Sequence, residues 1–364
     1  MTNPHLVHAR PNSLRTRHRL IAPLSDVHIC GSIKSVESLR RHLQTAIELE
    51  HSTIPPYLCA LYSIEATTNA FAYQTIQSVV MEEMLHMILA CNILNALGGR
   101  PSIDHPHFIP EYPTYLPHSN QAFKVPLEKF SKHTLHTFLK IEQPAPATAP
   151  PEANHYQTIG QFYKALKHAI NYLDAVTPGG IFTGDPSRQV LPEHYYGGGG
   201  KLIAVYDLDD ANQAIDEIVG QGEGIDGTIF DTDSVMFGEE VEYAHYFKYN
   251  EILHERRYAP TDSAKLPPTG PAVAVNWQAV SDMQTNPKMA DFPVGSPTWQ
   301  AMHEFNRTYM TLLRALHDAC NGAPASIATA IPQMYALKYQ ALALMQIPNG
   351  KGHMTGPSFE YIRL

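Results

Sequence analysis

The stretch VVMEEMLHMILACNILNALGG, residues 79–99, is almost wholly apolar, yet its middle carries Glu82, Glu83 and His86. Its length and closing Gly98-Gly99 predict a buried helix that stops at a glycine cap, with Pro101 just beyond. A carboxylate inside such a helix is costly unless it is paired or metal-bound. Glu83 and His86 are three residues apart and share a face, so their oxygen and nitrogen can converge on one ion.

Working outward, Leu39, Leu43, Ala46, Ile47, Ile54, Tyr57, Leu58 and Leu61 form an amphipathic stripe that predicts a helix over 36–63. A break at 67–73 separates it from a second helix, 74–97. Residues 101–156 are rich in Pro and His, with one short helical piece at 127–141, and TIGQFYKALKHAINYL (158–173) reads as another helix. YYGGGG, 195–200, follows no phosphate-binding order and reads as a flexible turn before a short strand at KLIAVYDL, 201–208. A third long helix is expected from about Asp209 through QGEG, and a fourth from about Ser234 to Arg257. Two more, 298–320 and 324–345, follow a Pro-rich connection.

The resulting organisation is an irregular leader (1–35), a bundle (36–258) and a C-terminal region (259–364) whose helices pack on it. The bundle is made of helix pairs 36–97 and 209–257 around an insertion at 101–200. The chain has 364 residues, enough for a sizeable core, and a net charge of -9 with no Lys/Arg cluster, which argues against a nucleic-acid partner. No run of 18 apolar residues suggests a membrane span, and the N-terminus lacks a signal-peptide core. The four cysteines form no CxxC pair, so a reducing, cytoplasmic location is the expectation.

Carboxylate-bridged two-metal sites in four-helix bundles take one Glu from each of two helices and a Glu-x-x-His from each of the other two. The spacing alone says little here, because this His-rich chain contains it at Glu48/His51, Glu83/His86, Glu152/His155, Glu242/His245 and Glu251/His254. Glu48 and His51 share a face with Arg41, Gln44 and Ser52 that reads as solvent-facing. Glu152 follows a Pro-rich loop, and Glu251/His254 run into a charged helix end. Glu83/His86 and Glu242/His245 instead sit among apolar residues. The scheme then asks for two lone acids. Glu50 lies on the apolar stripe of the first helix. Glu223, with Glu217 as the alternative, is the candidate on the third. Tyr57 shares Glu50's face and can hydrogen-bond a ligand from behind. Glu82 lacks the repeated spacing and reads as such a support or as a surface acid. Tyr243 and Tyr246 are candidates for lining a substrate pocket.

The blocks AIELEHSTIPPYLCALYSI, EEMLHMILACNILNALGG, IVGQGEG, EYAHYFKYNEI and GPSFEY resemble the ferritin-like family that includes the iminophenyl-pyruvate dimer synthases of violacein-type pathways. The resemblance runs from about residue 36 to 361. It implies a mainly α, ferritin-like four-helix bundle with an iron-type centre on Glu50, Glu83, His86, Glu242, His245 and Glu223. One departure is Gly220, where members of the family carry an acid just before QGEG; this favours Glu223. The named synthases are also much longer.

The expected function is therefore a di-iron oxidoreductase of biosynthetic metabolism. It would hold two Fe ions, with Mn as the other metal suited to Glu and His, and act with O2 on a small organic, amino-acid-derived substrate. The segments 101–200 and 259–364 are more than iron storage requires. The alternative is a non-catalytic metal-binding or interaction module. Long apolar helices also leave a face for a homodimer.

Overall fold

The computed structural model describes residues 33–195, 199–224, 228–231 and 242–364; the expected leader and most of the start of the expected fourth helix lie outside them. Among the described residues there are eight α-helices: α1 (Val36–Ser63), α2 (Ala70–Ala96), α3 (Lys132–Ile141), α4 (Ile159–Val176), α5 (Leu208–Glu223), α6 (His245–His254), α7 (Pro297–Ala319) and α8 (Ile327–Leu344). Local chemistry sets their ends. Ser35 caps α1 by accepting from the Ser38 N–H. Thr158 and Gln161 form a reciprocal capping box on α4. The Asp207 carboxylate accepts from the Asp209 and Asp210 N–H groups at the start of α5. After α2, Gly98 turns into the left-handed region (φ 73°), and the Gly98 and Gly99 N–H groups close on Asn95 O and Leu94 O.

α1 and α2 pack side by side along their lengths and make one half of the bundle. α5 and α6 pack on α2, while α4 and α3 lie against α1 and close the other half. α7 and α8 form a hairpin laid on α1 through α8. α2 has the length and composition of a membrane span, yet 89% of its apolar window is buried inside the protein, as befits a core helix.

α1 runs on through Pro55 and Pro56. Each proline removes the N–H that would bond the carbonyl four residues back. The carbonyl of Ser52, orphaned by Pro56, is recovered by the Tyr112 hydroxyl (2.8 Å), which fastens the 101–131 segment to the bundle. The Pro-rich connection is fixed in the same manner: the Asn69 side chain bonds both the N–H (2.7 Å) and the carbonyl (2.8 Å) of Asn276.

Four expectations change. No strand forms at 201–208, because side chains take its polar groups: Lys201 N–H goes to Glu217 (2.8 Å), Val205 N–H to Gln189 (2.8 Å), and Ile203 O accepts from Asn92 (3.0 Å). His51 does not face water; it is buried, bonded to the Tyr309 hydroxyl of α7 (2.6 Å) and packed on Phe108. Glu251 is likewise buried, where it accepts from the Tyr258 N–H (2.7 Å) and faces Arg257 (3.2 Å). The helix expected over 234–257 is, among the described residues, helical only from His245 to His254.

Asn92 tests how the insertion is held. Its buried amide bonds the carbonyls of Val190 and Ile203 and the N–H of Val190. Asn92→Ala strands these groups, and at about 1–3 kcal/mol for a buried orphan the variant should lose roughly 3 kcal/mol in a urea melt. A loss under about 0.5 kcal/mol would show that the insertion is anchored by other contacts.

Candidate metal centre

Glu50 from α1, Glu83 and His86 from α2, Glu142 at the end of α3 and His245 at the start of α6 converge in the bundle, each 4% exposed or less. They form two overlapping groups, Glu50/Glu83/His86 and Glu83/Glu142/His245, in each of which one donor atom per residue lies within 4.8 Å of the others. Glu83 belongs to both.

Each carboxylate is held by one hydroxyl. Tyr163 donates to Glu50, Thr53 to Glu83 (2.7 Å) and Tyr57 to Glu142. Each imidazole turns its Nε2 outward, His86 to the Gln221 amide oxygen (2.7 Å) and His245 to Glu82 (2.7 Å). The Nδ1 atoms face inward. His86 Nδ1 is 3.5 Å from Glu50 and 3.8 Å from Glu83. His245 Nδ1 is 3.0 Å from Glu83 and 3.4 Å from Glu142. The two rings lie nearly parallel, 5.5 Å apart.

The electrostatics follow from burial. Desolvation pushes Glu50 up to about 7 against the opposing bond from Tyr163, and raises Glu142, helped by the Glu83 charge. Burial would also raise Glu82, but the Lys248 ammonium (2.7 Å) and His245 outweigh it and hold the carboxyl down to about 2. Burial would lower His245, yet Glu142, Glu82 and Glu83 hold it well above its ordinary value. His86 is lowered, chiefly by burial.

This arrangement fits a metal ion. An ionised Glu82 only accepts, so His245 Nε2 donates to it. Were His245 neutral, it would turn a bare Nδ1 lone pair toward carboxylate oxygens, and that buried atom makes no aligned hydrogen bond despite its short contacts; the raised proton affinity of His245 answers the same opposition. Lone pairs so opposed need a cation between them, either a proton or a metal. Glu and His together suit iron or manganese.

The sequence-level site is redrawn in three places. Glu242 does not reach the cluster. It precedes α6, whose first helical residue is His245, so the three-residue spacing puts the pair on no common helical face; its partly exposed carboxylate pairs with Lys248 (2.9 Å). Glu223 accepts from the Gly160 N–H at the start of α4 (2.7 Å), and Glu217 from the Lys201 N–H (2.8 Å); neither joins the five. Glu142 completes the set from within the 101–200 insertion. Its signal in the sequence was an acid one turn after Phe138, at the end of the apolar face of LHTFLKI. Glu82 supports His245 and Tyr57 supports Glu142. Tyr243 and Tyr246 belong to a separate small cluster with Phe247 and Tyr258.

The described end of the glycine run, Gly199 and Gly200, has a definite place. A Cβ on Gly199 would come within 2.9 Å of Glu82, and one on Gly200 (φ 88°) within 2.2 Å of the Gln221 amide. The two glycines lie against the outer partners of both imidazoles. A cavity of about 20 Å³ lies beside Glu142, lined also by Tyr163, Ile218, Gly222 and Glu223.

Comparison with known proteins agrees with the helical architecture. A family model described as ferritin-like matches residues 43–254, from α1 to α6. Dichlorochromopyrrolate synthase of Lentzea aerocolonigenes is 25% identical over 330 residues, covering 81% of this chain and 30% of its own length. 2-Imino-3-(indol-3-yl)propanoate dimerase of Chromobacterium violaceum is 24% identical over 258 residues, covering 60% of this chain. The chain thus spans 30% and 23% of the lengths of these relatives. The crystal structure of a ferritin-like protein from Caulobacter vibrioides matches 90% of this chain and 99% of its own, with a TM-score of 0.61 at 23% identity, a likeness of fold. With the family match spanning more than half of its length, this chain belongs to the ferritin-like family.

Proposed function

We propose that the protein is a di-iron oxidoreductase that uses O2 to oxidise a small, amino-acid-derived organic molecule. The observation that carries this reading is the pair of Glu/His donor groups sharing Glu83, as a bridged pair of ions requires. Glu50, Glu83 and His86 would hold one iron, and Glu83, Glu142 and His245 the other; manganese suits the same donors. Bound there, iron supplies the electrons for O2 reduction and hence the oxidising power turned on the substrate.

The protein's own part is positioning. Tyr163, Thr53 and Tyr57 each fix one carboxylate, leaving its other lone pairs directed inward. Glu82 and Gln221 fix the imidazole tautomers, and Lys248 balances the Glu82 charge so that Glu82 stays an acceptor. Burial keeps bulk water away from the donors. The cavity beside Glu142 has room for one water-sized molecule, which suits O2; organic substrates need about 300–1,000 Å³. The names of the two relatives, one a dimerase of an indole-bearing imino acid, support an amino-acid-derived substrate. The activities of those longer proteins remain their own.

The small cavity also favours a second reading, a metal-binding module without catalysis. Loading the protein with ferrous iron and following dissolved O2 separates the two. Rapid stoichiometric O2 consumption is expected of the oxidoreductase, and none of the module.

Metal analysis of purified protein should find about two ions per chain. Glu142→Gln should at least halve that content, whereas Glu242→Gln should leave it unchanged. Equal content in the wild type and Glu142→Gln would remove Glu142 from the ligand set, and a metal-free wild type would end the metal reading. Gly200→Ala pushes a methyl group into the Gln221 amide and should weaken metal retention against a chelator roughly tenfold. Unchanged retention would show that Gln221 does not position His86.

A further inference from the structure

Each hydroxyl that holds a carboxylate of the cluster is committed to it, while one phenol packed on Tyr57 gives its proton to no carboxylate among the described residues. Tyr249 is fully buried on α6, one turn after His245, and its hydroxyl makes no well-aligned hydrogen bond among the described residues; the Tyr57 hydroxyl is within reach of it, but the Tyr57 proton is given to Glu142. Its ring is held edge-on by Tyr57 (5.4 Å between centroids) and lies 5.2 Å from Phe138. The charged groups acting on it are Glu142, Glu83 and Glu82, of which Glu142 and Glu83 share a donor group with His245. A buried hydroxyl without a partner is destabilising, and native proteins keep one where a ligand, water or ion supplies the missing atom. The three carboxylates already have Tyr163, Thr53 and Tyr57 as donors.

We propose that the Tyr249 hydroxyl is the hydrogen-bond donor to an exogenous ligand of the centre, a small anion or oxygen-bearing group that docks beside Glu83, Glu142 and His245. This inference rests on the metal reading of the cluster. Tyr249 would then be a binding residue, distinct from the phenols that hold the ligands in place. The helix makes the arrangement economical: His245 and Tyr249 are four residues apart, so α6 presents a metal donor and a ligand donor on one face. The competing account is that Tyr249 only fills space against Tyr57 and Phe138.

Tyr249→Phe separates the two, because it removes the hydroxyl and keeps the ring. Wild type and variant are loaded with cobalt(II), their metal content is measured, and azide is titrated while the visible absorption of the cobalt is followed. The expected result is equal metal content with azide affinity lower by about fivefold to tenfold in the variant. Equal azide affinity in two equally loaded proteins would overturn this inference and leave the metal centre standing. Loss of metal from the variant would also overturn it, by making Tyr249 a support of the ligand set. A wild type that takes up no cobalt would overturn the metal reading and this inference with it.

Discussion

Four carboxyl groups, those of Glu50, Glu82, Glu83 and Glu142, are withdrawn from water into one region of the bundle, and much of the remaining design answers that fact. Desolvating carboxylates is among the costlier things a fold can do. The protein offsets the cost with one buried ammonium, two imidazoles and a ring of hydroxyl donors, while the Gln221 amide oxygen accepts from His86; these groups come from several stretches of chain. Lys248 and His245 come from α6, Tyr57 and Thr53 from α1, Tyr163 from α4 and Gln221 from α5. The six helices of the bundle are thus tied together at their polar centre as well as by their apolar faces.

What could be read from the sequence follows from how local its causes are. The long helices α1 and α2 declared themselves through sustained apolar periodicity, and the Gly98-Gly99 stop through backbone chemistry that needs no tertiary context. Glu50, Glu83 and His86 were legible because each interrupts an apolar face that is certain to be buried. His245 was legible for a partly mistaken reason: the three-residue spacing presumes a helix, and the helix begins at His245 itself. Glu142 was hidden because α3 is only ten residues long and ends in a Pro-rich segment, a context that reads as a surface connection. Its one local mark, a place at the end of a short apolar face, does not by itself set it inside; α3 reaches the site by packing against α1 and α6.

The misreading of His51 has the same origin. Its neighbours Arg41, Gln44 and Glu48 are polar, so the face looks wet when the helix is considered alone. The cover arrives from residue 309, more than two hundred positions along the chain, and no periodicity in α1 could announce it. From the sequence alone the YYGGGG run reads as a flexible turn. Its described glycines, Gly199 and Gly200, lie where an added Cβ would crowd Glu82 and Gln221, the groups that orient the two imidazoles.

The bond between Tyr309 and His51 bears on the boundaries of the unit that encloses the cluster. His51 follows Glu50 directly, and its imidazole is sheltered by α7 and by Phe108 of the insertion. A chain trimmed to the stretch that the family model recognises would uncover the residue next to Glu50 of the candidate centre and expose an apolar flank of α1. The C-terminal hairpin is therefore an outer wall of the candidate centre, and for anyone dissecting or grafting this fold the smallest transferable piece extends beyond the bundle that defines the family.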